Sequence, residues 1–268
     1  MAALQRWSFL YRILVGTTLR TRLAYKWNFA VGLLLQMALN FSELAAILLI
    51  IQRVHNIGGW DAYGLMILFG LMSASSGIYH IFASELNSFD KYLVDGQFDA
   101  ILTRPAPTLL TIAARSVDLE HSAIFLQGVG VLAFVYIKKT AQLHFGVNTI
   151  VEMAVGIICG AFIWFSIVTA TATLGFWTTQ VDNLQPVLLY GPETASAYPL
   201  TIYPKAIQLV FYSILPTAFG AFIPASVILH KGVGDIALVY CGLVSLIAFA
   251  VAVWFWNFGV RHYTSTGT

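Results

Sequence analysis

The sequence has 268 residues, of which 59% are hydrophobic and only 10% are charged. This composition is typical of an integral membrane protein and excludes an ordinary soluble domain. A formal net charge of +2, with the basic residues spread over several loops, gives no indication of a nucleic-acid partner. Cys159 and Cys241 both fall inside apolar runs, where a thiol packs as a small hydrophobic group, so we expect neither a disulfide nor a metal site.

The first segment, residues 1–26, carries five basic side chains and is followed directly by an apolar run. Apolar residues recur in it at steps of three and four, which predicts an amphipathic helix in the membrane interface: Leu4, Trp7, Tyr11 and Leu14. A charged tail that only sets the topology is the alternative.

Six apolar runs follow, near residues 27–51, 62–84, 109–137, 148–177, 205–228 and 234–258. Each reaches the roughly 20 residues that a helix needs to cross a bilayer. We therefore predict an all-α membrane protein with one six-span transmembrane domain over residues 27–258 and a cytosolic tail over residues 259–268.

Two of these runs are irregular. The third holds Arg115, Asp118 and Glu120 in its first turns, so its helix should begin in the interface. The fifth is interrupted by residues that disfavour a continuous helix: Pro216, Gly220 and Pro224. We expect the fifth run to cross part of the way, break and return as a short re-entrant piece, covered by other protein.

The basic residues indicate the orientation. With a cytosolic N-terminus, ten of the 14 basic residues lie inside: Arg6, Arg12, Arg20, Arg22, Lys26, Lys91, Arg104, Arg115, Lys205 and Arg261. The remaining four lie outside: Arg53, Lys138, Lys139 and Lys231. Because cytosolic loops are enriched in Lys and Arg, both termini and the connection after the second span are predicted to be cytosolic.

That connection contains the charged segment "VDGQFDAILTRPAP", residues 94–107. Four of its residues follow helical spacing and share one face: Phe98, Ile101, Leu102 and Pro105. With Asp95 as N-cap and Pro105 ending the helix at Arg104, the pattern predicts a short amphipathic helix over about residues 95–104. Its apolar face suits docking to another protein, and lying on lipid is an equal alternative.

Polar residues inside the first run are candidates for the transport pathway or a subunit interface. Gln36, Asn40 and Glu43 share one helical face, and an ionisable residue within a span is a functional hypothesis by default. A structural hydrogen bond to a neighbouring helix or a partner subunit is the alternative. His80 in the second run is estimated to lie roughly 15 Å from Glu43 in depth, which argues against direct contact and favours an interfacial position.

Two stretches resemble a known family. "DGQFDAILTRP" and "YPLTIYPKAIQLVFYSILPTAFGAFIP" are similar to sequences in the permease subunits of ABC-2-type exporters, in the six-span branch often encoded as paired permeases beside one ATPase. The matching positions are Asp95, Gly96, Asp99, Leu102, Arg104 and Pro105 in the first stretch, and Tyr198, Pro199, Tyr203, Pro204, Pro216 and Pro224 in the second.

The resemblance implies a division of labour between chains. The helix after the second span would be a coupling helix seated in a cleft of the ATPase, residues 1–26 would form a connecting helix, and the broken segment after the fifth span would cap the outer end of the pathway. The chain lacks a G-x-x-x-x-G-K-[ST] phosphate loop, so ATP and Mg²⁺ would be bound by the partner ATPase dimer and no cofactor by this chain. A second permease, identical or related, would complete the pathway in a bacterial cell membrane.

Two other classes stay open from the residues alone. One is a secondary transporter or channel that uses Glu43 as an ion or proton site. The other is a membrane-embedded enzyme, although we can assemble neither a zinc-site spacing nor a Ser/His/acid set from span positions.

Overall fold

The computed structural model describes residues 16, 26–54, 56–115, 117–143, 145–178 and 183–264. This part of the chain is helical, and its only extended pairing is an isolated bridge between Ile57 and Trp60. The all-α prediction is confirmed. The amphipathic helix predicted over residues 1–26 lies almost wholly outside the described residues.

The described helices are, in chain order, α1 Lys26–Val54, α2 Ala62–Ala83, α3 Phe89–Val94, α4 Gln97–Leu102, α5 Thr108–Ala113, α6 Ser122–Leu143, α7 Val147–Thr178, α8 Gly191–Ser196, α9 Lys205–Tyr212, α10 Phe222–Ile228 and α11 Ile236–His262. Five segments of the described chain are long and apolar enough to cross a membrane: Phe29–Ile50, Ala62–Val94, Leu119–Lys139, Val147–Thr178 and Ile236–His262. Most of α2 is buried at the centre of the bundle, whereas α1 and α11 expose many apolar side chains.

The bundle has two ends, which we name by what lies there. The loop of residues 56–61 marks the loop end, and α3, α4 and α5, which follow α2, mark the α4 end. Residues 183–201 join these ends: the Gln185 amide donates a hydrogen bond to the Asn87 carbonyl at the α4 end. At the loop end the Thr201 hydroxyl donates to the Gly58 carbonyl at 2.9 Å. The fifth crossing of the bundle is therefore this short stretch, which contains a π-helical turn over Pro186–Tyr190 and then α8.

The apolar run predicted as the fifth span is a hairpin instead. Helix α9 and the segment Thr217–Ile228 are bent by 72° relative to each other. The chain enters this pair just after Thr201 and leaves it just before Lys231, whose Nζ donates to the Gly59 carbonyl at 2.7 Å. Because both ends lie at the loop end, residues 205–228 form a re-entrant hairpin. The prediction of a break and return is confirmed, and the assignment of residues 205–228 as a crossing span is wrong.

The irregular backbone of this hairpin is covered by α7. Pro216, Gly220 and Pro224 are buried. A Cβ atom on Gly160 of α7 would lie 3.0 Å from the Gly220 carbonyl oxygen, and one on Gly220 would lie 2.9 Å from Gly160 Cα. Gly160 is about 20 Å along α7 from its start at the loop end. The hairpin thus enters the bundle deeply, at a point where two glycines allow backbones to touch.

Two predicted boundaries need correction. The third crossing begins at Leu119 rather than residue 109, because the chain turns after α5 and the Asp118 carboxylate accepts from the Glu120 N–H at 3.1 Å. The last helix continues to His262, so the first four residues of the predicted tail, 259–262, are helical. With six crossings, α1 begins and α11 ends at the α4 end.

Candidate functional site

The segment at the α4 end folds as two short helices joined at a glycine. Gly96 has φ 66°, a left-handed conformation that strains residues with a Cβ atom, and it takes the N-cap position of α4. The Asp95 carboxylate accepts from the Gln97 side-chain amide at 3.4 Å and from no backbone N–H of α4, so its predicted N-cap role is wrong. Helix α4 ends at Leu102, two residues before the predicted end.

Only part of the predicted apolar face of α4 is packed inside this chain. Phe98 and Ile101 are fully buried, whereas Leu102 and Pro105, predicted to share their face, are exposed. The Phe98 ring packs edge-on against Phe89 of α3 and against Tyr263 after α11, with ring centroids 5.4 Å and 5.0 Å apart. Its centroid also lies 5.3 Å from that of Phe176 of α7. The expectation that this face fills a partner's cleft therefore needs correction, because in this structure it anchors α4 to its own bundle.

The residues of the segment that face outward form what we call the α4 surface. Its exposed members are Val94, Asp95, Gln97, Ala100, Leu102, Thr103, Arg104 and Pro105. Leu102 is 40% exposed, whereas Asp99 is half-buried. The surface combines apolar atoms with charges of both signs on a rigidly anchored helix, which suits contact with another protein.

Gln36, Asn40 and Glu43 line a cavity of about 300 Å³, which we call the polar cavity. The spacing prediction that these three side chains share one face is confirmed. The rest of the lining comes from α2, the start of α6 and the fifth crossing: Leu39, Met72, Ser76, His80, His121, Ile124, Tyr190, Glu193 and Thr194.

His80 lies near the end of α2, as expected of an interfacial residue, and its side chain lines the polar cavity. Only 12% of its side chain is exposed, and its Nε2 lies 3.6 Å from Oε1 of Glu193. Its ring stacks on His121 at 4.7 Å, and His121 Nδ1 lies 3.2 Å from an Asp118 carboxylate oxygen. The depth estimate had set His80 apart from Glu43, but both residues line the polar cavity.

The sequence interpretation missed Glu193, because residues 183–201 were not recognised as a crossing. Glu193 is the one Asp, Glu, Lys or Arg residue between Asp182 and Lys205. A long stretch with a single charge was a usable signal for a membrane segment.

Together these features define an all-helical, multi-pass membrane protein with a re-entrant hairpin at one end and anchored short helices at the other. A sequence model described as ABC-2 family transporter protein matches residues 37–267, and the chain belongs to this family. It is a permease component of an ABC transporter, as the resemblance implied. No curated protein sequence matches the chain.

Proposed function

We propose that this chain is the permease subunit of an ATP-driven exporter whose ATP is hydrolysed by a separate pair of ATPase chains. The α4 surface carries the proposal, because it is an exposed, anchored surface in a family of ABC transporter permeases. ATP and Mg²⁺ belong to the ATPase, since the sequence offers no phosphate loop to hold them.

Movement of a docked ATPase reaches the bundle through aromatic contacts. Phe98 of α4 packs on Phe176 of α7 at 5.3 Å and on Tyr263, which follows α11, at 5.0 Å. Packed aromatic side chains resist deformation, so a displacement of α4 shifts α7 and α11 with it. Docking residues are those of the α4 surface, and Phe98 and Ile101 transmit the displacement.

The α4 end is the cytosolic end in this proposal. Lys205 follows Thr201 at the loop end, so it belongs with the outer basic residues. The count of basic residues then changes from ten inside and four outside to nine inside and five outside. The bias still favours a cytosolic α4 end, with both termini in the cytosol of a bacterial cell. The re-entrant hairpin then caps the outer end of the pathway.

A second permease completes the pathway. Helices α1 and α11 expose apolar side chains along much of their length, including Leu35, Phe41, Leu246 and Trp254. These faces are available for lipid and for a second permease chain, identical or related.

Co-purification tests the exporter proposal. The permease is isolated through a tag from the cells in which it occurs naturally, and the ABC ATPase isolated with it is measured. We expect the wild type to retain the ATPase and Arg104→Glu in the α4 surface to lose it. Arg53→Glu is the matched control, because Arg53 is exposed in the last turn of α1 at the opposite end. Equal retention by both variants contradicts the docking site, and no retention by the wild type contradicts the exporter.

A secondary transporter with Glu43 as its ion or proton site is the second candidate. The observation that favours it is the polar cavity, which places Glu43 with His80 and Glu193 inside the bundle. Transport by the chain alone in proteoliposomes, driven by an ion gradient and lost in Glu43→Gln, would favour it over the exporter.

A further inference from the structure

The polar cavity lies within one chain, in the half of the bundle nearer the α4 end. His80 is three residues from the end of α2, and Met72 on the same wall is about 12 Å further in. The first crossing, the second, the start of the third and the fifth each supply part of the wall. In the proposed orientation it is a site within reach of the cytosol.

The wall of the polar cavity is rich in carboxyl groups. Glu43 and Glu193 line the cavity, and Asp118 lies behind His121. Neither Lys nor Arg is among the described lining residues. A cation is the ligand that this wall stabilises.

An independent observation comes from Asn40. Its side chain is 8% exposed, lines the cavity, and has an Nδ2 group that finds no acceptor among the described residues. A buried amide donor without a partner is costly, so an oxygen acceptor on a bound molecule would satisfy it. Asn40 therefore favours a ligand that carries an oxygen acceptor beside its positive charge.

Size and geometry limit the ligand further. The volume of about 300 Å³ is at the small end of small-molecule sites. Among the described residues no group of three or more His, Cys, Asp or Glu side chains is arranged to hold a metal ion. Tyr190 and the imidazoles of His80 and His121 supply flat surfaces for a cationic or aromatic body.

We propose that the polar cavity recognises a small protonated organic amine that also carries an oxygen acceptor, and that such an amine is the exported substrate. The substrate assignment rests on the exporter function proposed above. Glu43 and Glu193 hold the ammonium group, the Asn40 amide donates to the oxygen, and the aromatic rings contact the body of the molecule.

Binding to the purified permease, without any ATPase, tests the site. The probe is radiolabelled tyramine, which carries an ammonium group and a phenol oxygen, and tyrosol is the neutral competitor, in which a hydroxyl group replaces the ammonium group. We expect saturable binding of tyramine, no competition by tyrosol, and at least tenfold weaker binding in Glu43→Gln, Glu193→Gln and Asn40→Leu. Glu152→Gln, a carboxylate of α7 outside the cavity, should bind as the wild type does. Circular dichroism confirms that each variant is folded.

Three results would overturn the amine site: no saturable binding of tyramine by the wild type, equal competition by tyrosol, or unchanged affinity in both glutamine variants. The two proposals fail separately. Amine binding without ATPase co-purification supports the amine site and contradicts the exporter proposal. ATPase co-purification without amine binding supports the exporter proposal and contradicts the amine site.

Discussion

The Thr201 hydroxyl donates a hydrogen bond to the Gly58 carbonyl at 2.9 Å, joining residues 143 positions apart in sequence. This contact places the start of the re-entrant hairpin beside the loop between the first and second crossings. Lys231 reaches the same loop from the other end of the hairpin and donates to the Gly59 carbonyl at 2.7 Å. Because both ends of residues 205–228 contact the same loop, these residues form a hairpin and do not cross the bundle.

Cysteine labelling checks this topology. In a chain with Cys159 and Cys241 replaced by alanine, single cysteines are placed at the exposed positions Lys205, His230 and Arg104. We expect a membrane-impermeant maleimide to label positions 205 and 230 from one side and position 104 only from the other. If position 205 labels together with position 104, residues 205–228 are a span after all.

Close packing between the hairpin and α7 predicts a cost for one methyl group at Gly220. Gly220→Ala should lower the free energy of unfolding by about 1–3 kcal/mol, because the added Cβ meets Gly160 Cα of α7 at 2.9 Å. Gly242→Ala in α11 is the control, since nothing lies within 4 Å of its added Cβ. The control should be neutral or stabilising by up to about 1 kcal/mol. Thermal unfolding of the purified variants measures both, and equal unfolding temperatures would contradict the packing.

Buried and exposed apolar residues of α4 should behave differently on truncation. Phe98→Ala should destabilise the protein by about 3–5 kcal/mol, since it removes a fully buried ring from contact with α3 and α7. Leu102→Ala should cost well under half of that, because Leu102 is 40% exposed. Thermal unfolding distinguishes the two, and a larger loss in Leu102→Ala would contradict the assignment of faces.

The turn at Gly96 predicts a residue-specific effect. At φ 66°, a β-branched side chain is strained, so Gly96→Val should lower stability by at least about 1–2 kcal/mol. Gly96→Asn should be tolerated better, because asparagine enters the left-handed region more readily. The unfolding temperatures of the two variants give the comparison, and the same loss in both would argue against the left-handed turn.

Much of the fold could be predicted from the sequence, because long apolar runs report membrane crossings directly. The fifth crossing was not predicted because its prolines, Pro186, Pro192 and Pro199, interrupt residues 183–201. The hairpin of residues 205–228 was predicted as a span instead, because it has the length and apolar character of one. Hydropathy measures how apolar a segment is, but it does not show where the two ends of the segment lie. For residues 205–228, the two hydrogen bonds at the loop end show that both ends lie on the same side of the bundle.

The candidate sites show a similar limit. Helical spacing correctly grouped Phe98 with Ile101, and Asn40 with Glu43, because residues three apart share a helix face. Spacing says nothing of what covers that face, so Phe98 was assigned to a partner when its own bundle covers it. Glu193 joins the polar cavity only through tertiary packing.

The central claim is that the α4 surface docks an ATPase, and photo-cross-linking in cells tests it most directly. A photoreactive phenylalanine analogue is placed at Ala100 in the α4 surface and, as control, at Leu209, which is exposed on α9 of the hairpin. The account predicts that position 100 cross-links to an ATP-binding polypeptide and that position 209 does not. Cross-linking of the ATPase from position 209, or from neither position, would contradict it.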